Sequence, residues 1–179
     1  PLNPVSPYGC AKVYGYNLVR NYRNSYGMFL CNGILFNHES PRRGTNFVTG
    51  KVAKEAVKIK LGLTDKLSLG NLHASRDWGH AKDYVEAMWL MLQHDKADDY
   101  VCSTGVSHTV KDLVEYVFSK LDLDWRDYVV TDEKYYRPEE LEHLKGDSSK
   151  IKKILGWEPK YTFETMMDDM INDWLKKLK

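Results

Sequence analysis

The sequence has 179 residues, of which 42% are apolar and 28% are charged, and its formal net charge at pH 7 is +1. These values are typical of a soluble globular domain, or of one domain and part of another, and the small net charge gives no reason to expect a nucleic-acid partner. No apolar run approaches about 18 residues and no signal-like segment is present, so neither a membrane span nor secretion is supported.

Cysteine and histidine usage gives no sign of a disulfide framework or a metal centre. The three cysteines, Cys10, Cys31 and Cys102, lack Cys-x-x-Cys spacing, and the odd number favours buried, reduced thiols in a cytoplasmic protein. The six histidines show no metal-ligand spacing, so we expect no metal. The chain starts at Pro1 and not at methionine, from which we expect a piece of a longer protein.

The first predicted element is a helix over residues 7–26. Ser6 is a good N-cap, Pro7 suits the first helical position, and Gly27 is a natural stop. Residues 28–36 form an uninterrupted apolar run, which predicts a strand of a parallel sheet that is buried on both faces. A helix followed by such a strand is one step of an α/β fold.

The middle of the chain predicts a polar loop over residues 37–46, at the strand's C-terminal edge, where open α/β sheets bind ligands. A helix follows over residues 47–61, a short strand over 66–69, and a second long helix over 80–94. The predicted buried face of this second helix consists of Ala81, Tyr84, Val85, Met88 and Leu92.

The last part of the chain predicts short strands and helices in alternation. These are a strand over residues 99–104, a helix over 110–121 capped by Thr109, a strand near 128–130, and helices over 147–155 and 162–178. No Gly-x-Gly-x-x-Gly loop occurs in the sequence. The residues alone therefore do not point to a dinucleotide.

Tyr8 and Lys12 are four residues apart, which places them on one face of the first helix. A nearby ammonium stabilises a phenolate and lowers the tyrosine pKa, so the pair is a candidate proton acceptor. Because Tyr-x-x-x-Lys is short and common, the motif alone favours an ordinary surface pair.

Three longer tracts are more specific, namely PVSPYGCAK at 4–12, NGILFNHESPRRG at 32–44 and RDWGHAKDYV at 76–85. Together they resemble the GDP-mannose 4,6-dehydratase family, extended short-chain dehydrogenases/reductases that act on nucleotide sugars. The resemblance runs over essentially the whole chain and corresponds to the C-terminal half of such an enzyme. It implies that the glycine loop and the upstream catalytic Thr and Glu lie outside the chain, which alone would be inactive.

The fold implied by the resemblance is α/β. It comprises the C-terminal part of an extended short-chain dehydrogenase/reductase NAD(P)-binding Rossmann-like fold and a smaller α/β substrate-binding region. Residues 1–46 would belong to the cofactor domain and residues 47–179 mainly to the nucleotide-sugar region. Residues 76–104 would return to the Rossmann core.

The resemblance also implies functional residues, with NADP as the cofactor. Tyr8 and Lys12 would be catalytic and would contact NADP together with Asn37, His38 and Arg43. The implied substrate-binding residues are Asn32, Val48, Lys51, Asn71, Arg76, Arg137 and Glu140. Cations and amides suit a diphosphate, and a carboxylate suits ribose or guanine. Arg42 and Arg43 could instead be a solvated pair, and Arg42 could serve a subunit contact.

The implied reaction converts GDP-mannose to GDP-4-keto-6-deoxymannose, a lyase step of GDP-fucose biosynthesis in the cytoplasm. NADP would serve as a recycled hydride carrier in a homodimer or homotetramer, with no nucleic-acid or membrane partner. Two alternatives stay open: another epimerase, dehydratase or reductase of the superfamily, and a non-catalytic nucleotide-sugar binding fragment. The tract from His38 to Arg43 favours the dehydratase. One departure is Gly50, where the family often has arginine.

Overall fold

The computed structural model describes residues 2–136 and 141–179, which form a mixed α/β structure. Its helices and strands in chain order are α1 (Pro7–Tyr26), β1 (Asn32–Leu35), β2 (Asn37–Glu39), α2 (Val48–Lys60), β3 (Leu67–Leu69), β4 (Ser75–Arg76), β5 (Trp78–His80), α3 (Ala81–Gln93), β6 (Asp99–Cys102), β7 (His108–Thr109), α4 (Val110–Lys120), β8 (Val129–Thr131), α5 (Ser149–Leu155) and α6 (Phe163–Leu178).

The strands pair as four short ladders between segments that are distant in sequence. Three ladders are parallel, β1 with β6, β2 with β5 and β3 with β8, and the pair of β4 with β7 is antiparallel. Strand β2 corrects the prediction of a loop from residue 37, because its residues pair with Trp78, Gly79 and His80. The sequence of β2 is polar and its pairing partner β5 is distant along the chain, so no local pattern indicated a strand there.

Strand β1 is shorter and more exposed than the apolar run predicted. It covers Asn32–Leu35, and Ile34 keeps 37% of its surface exposed. Among the described residues, β6 is the one strand that pairs with β1, so one edge of β1 has no neighbour there. The prediction of a strand buried on both faces is therefore wrong for this chain.

Helix α1 has the predicted ends but contributes little to the core. Ser6 Oγ accepts a hydrogen bond of 3.0 Å from the Gly9 amide, and Gly27 ends the helix with φ of +64°. None of the α1 residues, all of which are described, is fully buried. A polar contact holds the helix to the sheet, since Arg23 Nη2 donates to Asp99 Oδ1 at 2.9 Å.

The larger core lies between α2, α4, α6 and the short strand β3. Buried side chains from these elements include Val52, Ala56, Leu67, Leu113, Val117, Phe118, Met166 and Met170. Trp78 is 2% exposed and its ring lies 6.2 Å from that of Phe163, so it packs into this core. None of the helices in the described part of the chain is long and apolar enough to cross a lipid bilayer.

A smaller core forms where α3 covers β6, and it corrects the predicted face of this helix. Tyr84, Ala87 and Met91 are buried in this core, whereas Val85, Met88 and Leu92 are exposed. Because α3 carries apolar residues on more than one side, periodicity alone did not select the face that meets the strand.

The cysteines also depart from the expected uniform burial. Cys102 is buried in the smaller core, and desolvation raises the pKa of its thiol to about 12. Cys31 is half-buried, but Cys10 is exposed on α1. All three are free thiols, and only Cys102 has the environment expected for a core residue.

Gly50 lets a loop backbone lie directly on α2. A Cβ atom built on Gly50 would lie 2.7 Å from the Gly44 carbonyl oxygen and 3.0 Å from that of Arg43. Real Cβ atoms do not approach backbone oxygen at the shorter distance, so any larger residue must displace the loop. Glycine at this helix position therefore fixes where the Arg43 segment runs.

We expect Gly50→Ala to destabilise the chain by about 1–3 kcal/mol through this overpacking. This expected destabilisation is opposite to the effect of helix propensity, which favours alanine over glycine by about 1 kcal/mol. Gly15→Ala in α1 is the matched control, because no atom lies within 4 Å of its Cβ position. Urea unfolding of both variants measures the difference, and a Gly50→Ala protein more stable than the parent would contradict the close approach.

Candidate active site

Tyr8 and Lys12 line a cavity of about 750 Å³ between α1 and β1, which we call the α1 cavity. The Lys12 Nζ atom lies 5.4 Å from the centre of the Tyr8 ring. Tyr8 is 72% exposed, so its hydroxyl is accessible from outside the protein. The predicted shared helical face is therefore present, and it opens onto a cavity of the size that holds small ligands.

His38 lines the same cavity, and its contacts define its tautomer. Its Nδ1 atom lies 2.8 Å from the Phe36 carbonyl oxygen, which can only accept, so Nδ1 carries the proton in this contact. The imidazole stacks on Tyr84 at 4.9 Å between ring centres, and burial raises the pKa of the Tyr84 hydroxyl above its usual range. A neutral aromatic ring thus supports His38.

The structure places Asn32 in a different environment from the other substrate-binding residues implied by the resemblance. Its Nδ2 group donates to Asp99 Oδ1 at 2.9 Å and to the Tyr16 carbonyl oxygen at 3.2 Å. These bonds connect α1, β1 and β6. Asn32 borders the α1 cavity and is 8% exposed, and both of its donor bonds stabilise the fold.

A second cavity of about 370 Å³, the α2 cavity, collects residues from several distant segments. Six of its lining residues were singled out in the sequence analysis, and all of them except Val48 are polar. These residues are Asn37, Arg43, Val48, Lys51, Asn71 and Arg76. The structure therefore brings four of the implied substrate-binding residues together with Asn37 and Arg43, which the resemblance assigned to the cofactor. Arg137 and Glu140 lie outside the described residues.

The cations of the α2 cavity are held by backbone and aromatic groups. Lys51 Nζ donates to the Ser68 carbonyl oxygen at 2.6 Å and lies 3.9 Å from the centre of the Tyr135 ring. Arg76 Nη1 donates to the carbonyl oxygens of Ser75 and Leu141, at 2.8 and 2.6 Å. Positive charge fixed beside amide donors suits an anionic ligand such as a phosphate ester.

A buried carboxylate that sequence reasoning missed lies beside these cations. Glu39 is 1% exposed, and its Oε2 atom accepts from Thr49 Oγ1 at 2.5 Å and pairs with Arg43 Nε at 2.9 Å. Burial raises the pKa of Glu39 above its usual range, while the Thr49 hydroxyl and the Arg43 charge act to lower it. The Arg43 Cζ atom lies 3.5 Å from the centre of the Phe47 ring.

The 76–85 tract mainly organises the fold around the cavities. Asp77 is fully buried and accepts hydrogen bonds from the Thr104 amide and hydroxyl and from the amides of Gly105 and Gly146, at 2.7–3.2 Å. His80 Nδ1 accepts from the Lys82 amide at 3.1 Å, which caps α3. In the described part of the chain, no group of three or more His, Cys, Asp or Glu could hold a metal ion.

Replacing the Asp77 carboxylate should weaken the fold substantially. Asp77→Asn exchanges one acceptor oxygen for an amide donor that faces donor groups, so we expect a loss of about 2–4 kcal/mol in the free energy of unfolding. Asp65→Asn is the matched control, since Asp65 is exposed on a loop. Chemical denaturation tests this, and equal stabilities of the two variants would contradict the structural role of Asp77.

Comparison with known proteins identifies one family. The family described as GDP-mannose 4,6 dehydratase matches residues 1–170. GDP-mannose 4,6 dehydratase 1 of Arabidopsis thaliana is 53% identical over 179 residues, which cover 100% of this chain and 50% of that protein. The Homo sapiens enzyme is 48% identical over 189 residues, covering 96% of this chain and 51% of that protein. The chain spans about half the length of these curated relatives.

Solved structures share the fold at low sequence identity. RMD from Pseudomonas aeruginosa complexed with NADPH superposes with a TM-score of 0.90 at 23% identity, over 98% of this chain and 58% of that one. UDP-glucose 4-epimerase from Thermotoga maritima with UDP-glucose gives 0.85 at 24% identity, over 99% and 56%. The predicted α/β fold of the extended short-chain dehydrogenases/reductases is confirmed.

Proposed function

The chain belongs to the GDP-mannose 4,6-dehydratase family, and we propose that it acts in the conversion of GDP-mannose to GDP-4-keto-6-deoxymannose. The observation that carries the proposal is the pair of neighbouring cavities, one lined by Tyr8 and Lys12 and the other by cations and amides. A proton acceptor and an anion site are the two groups that a nucleotide-sugar dehydratase needs from these segments.

In the proposed mechanism, Tyr8 as phenolate accepts the proton of the sugar C4 hydroxyl, and the Lys12 ammonium stabilises the phenolate. A bound NADP supplies the hydride acceptor at C4 and the hydride donor at C6. The resulting 4-ketone acidifies the C5 proton, so water can leave across C5 and C6. The α2 cavity would hold the diphosphate, with Lys51 and Arg76 as cations and Asn37 and Asn71 as amide donors.

Tyr8, Lys12 and His38 suit a dinucleotide in the α1 cavity, because its volume and its mixture of apolar wall and polar groups are those of cofactor sites. Lys12 would bind the ribose hydroxyls. Arg43 and Asn37 line the α2 cavity, so we assign them to the substrate and not to the cofactor. This proposal moves both residues from the cofactor set that the resemblance implied.

The domain division is part of the same proposal. Residues 1–46 and 76–104 would form the cofactor region, and most of residues 47–179 the nucleotide-sugar region. The pairing of β1 with β6 and of β2 with β5 supports it, because both ladders join the first segment to the second. We further propose a cytoplasmic homodimer or homotetramer, and the exposed apolar side chains of α1 suit a protein contact.

Tyr8→Phe in the full-length protein should lower kcat by about 10²–10⁴-fold, because the phenolic oxygen that accepts the C4 proton is lost. The KM for GDP-mannose should stay nearly unchanged. Tyr14→Phe is the matched control, as Tyr14 is also on α1 and 69% exposed. Steady-state kinetics measure both, and a Tyr8→Phe kcat within threefold of the parent would refute the role of Tyr8.

Lys51→Met should weaken GDP-mannose binding about tenfold, since a charge-assisted contact is lost while the apolar stem stays. NADP affinity should not change. Lys54→Met controls for the loss of positive charge from α2, because Lys54 lies near Trp174 and outside the α2 cavity lining. Calorimetric titration separates the two ligands, and equal losses for both would indicate a folding defect.

A further inference from the structure

Tyr84 is a buried polar side chain that the proposed mechanism does not use. It lies in α3 within the smaller core and is fully buried, and its ring stacks on the imidazole of His38, with 4.9 Å between ring centres and 25° between planes. Among the described residues, its hydroxyl has no hydrogen-bond partner. Because a buried hydroxyl without a partner is costly, the useful part of Tyr84 is its aromatic ring.

Gly79 leaves the space that the Tyr84 ring occupies. This glycine is the residue of β5 that pairs with His38 across the β2–β5 ladder. A Cβ atom on Gly79 would lie 2.5 Å from Tyr84 Cε2 and 2.9 Å from the Tyr84 hydroxyl oxygen, distances that real Cβ atoms do not show. Any other residue at this position would therefore displace the ring. The strand position opposite His38 has no side chain, and an aromatic ring from a helix fills the space.

Trp157 holds the Tyr84 ring from another side. The two rings meet edge to face, with 6.0 Å between centres and 81° between planes, which is a favourable aromatic geometry. Trp157 is 2% exposed, and its Nε1 group donates to the Asp83 carbonyl oxygen at 2.8 Å. The Tyr84 ring is therefore part of the smaller core and gives His38 a fixed surface to lie on.

His38 is fixed at one ring edge and one ring face. Its Nδ1 atom donates to the Phe36 carbonyl oxygen at 2.8 Å, and Tyr84 lies against its face. In the part of the chain that the structure describes, Nε2 of His38 has no hydrogen-bond partner. His38 is half-buried and lines the α1 cavity. Nε2 is therefore the ring nitrogen that is left for a ligand.

We propose that Tyr84 is a positioning residue that sets the ring plane of His38, so that His38 contacts a dinucleotide bound in the α1 cavity. The inference rests on the proposed function for its ligand, NADP. Tyr84 lies outside the lining of this cavity and acts through His38. A side chain that is already ordered before binding loses little conformational freedom when the ligand arrives, which favours affinity.

The test is calorimetric titration of the full-length protein with NADP and, separately, with GDP-mannose. Tyr84→Leu should weaken NADP binding about tenfold and leave GDP-mannose affinity unchanged, because only the His38 contact is lost. Tyr84→Phe should keep NADP affinity within threefold, since the ring stays and the hydroxyl has no partner among the described residues. A loss in Tyr84→Phe as large as that in Tyr84→Leu would assign the role to the hydroxyl and overturn the inference.

Tyr100→Leu is the matched control for damage to the smaller core. Tyr100 is also a tyrosine of this core, it is 1% exposed, and it lies outside the α1 cavity lining. Tyr100→Leu should lower stability in chemical denaturation and leave NADP affinity unchanged. A tenfold loss of NADP affinity in this variant would assign the effect to a loosened core and overturn the inference.

A double-mutant cycle tests whether Tyr84 acts through His38. In a His38→Ala background, Tyr84→Leu should weaken NADP binding no further, and additive losses would overturn the inference while leaving the proposed function intact. A loss in His38→Ala without a loss in Tyr84→Leu would do the same. NADP affinity that neither His38→Ala nor Lys12→Met changes would remove the cofactor from the α1 cavity, which overturns the proposed cofactor site and the inference together.

Nuclear magnetic resonance of the full-length protein with labelled histidine tests the stack without a ligand or a leucine variant. The ring protons of His38 should resonate upfield in the parent and in Tyr84→Phe, because they lie over an aromatic ring. Gly79→Ala, which displaces that ring, should move them towards the position of an unstacked histidine. Unstacked positions in the parent would overturn the proposed contact.

Discussion

The buried Asp77 carboxylate is the constraint on which the positions of both cavities depend. It accepts hydrogen bonds from Thr104, Gly105 and Gly146, which lie far from it in sequence. Its neighbours in sequence are Arg76, which lines the α2 cavity, and Trp78, which packs in the larger core. Strand β5 then aligns β2 through its ladder. The Asp77 carboxylate therefore links its loop donors to the larger core and the α2 cavity. Loss of these hydrogen bonds would leave buried polar groups without partners, which destabilises a fold.

Helix ends could be predicted because their signals are local. Ser6, Pro7 and Gly27 set the limits of α1, and Thr109 and Asp112 form the capping box of α4. Strand extents depend on distant partners, so the run over residues 28–36 predicted more strand than β6 can pair. The prediction of the buried face of α3 was wrong because apolar residues occur on more than one side of that helix.

The candidate site was predictable where the resemblance supplied residue positions. Segments carrying Val48, Lys51, Asn71 and Arg76 come together in the α2 cavity, which no local pattern could indicate. Glu39 and Tyr135 were missed, since a single acid after an apolar run and a tyrosine in a polar segment have no periodicity that marks them. Asn32 differs from these residues, because its amide nitrogen donates to Asp99 and Tyr16 and joins α1, β1 and β6.

Gly50, Glu39 and Phe47 together fix where Arg43 lies. The Gly44 carbonyl oxygen lies 2.7 Å from the place a Cβ of residue 50 would take, so an arginine there is incompatible with this path of the loop. The same close approach sets the backbone of Arg43, and Glu39 with Phe47 sets its side chain. Arg43 and Lys51 both line the α2 cavity, so two cations share its wall. The backbone contact at Gly50 and the ion pair at Glu39 are therefore two parts of one arrangement.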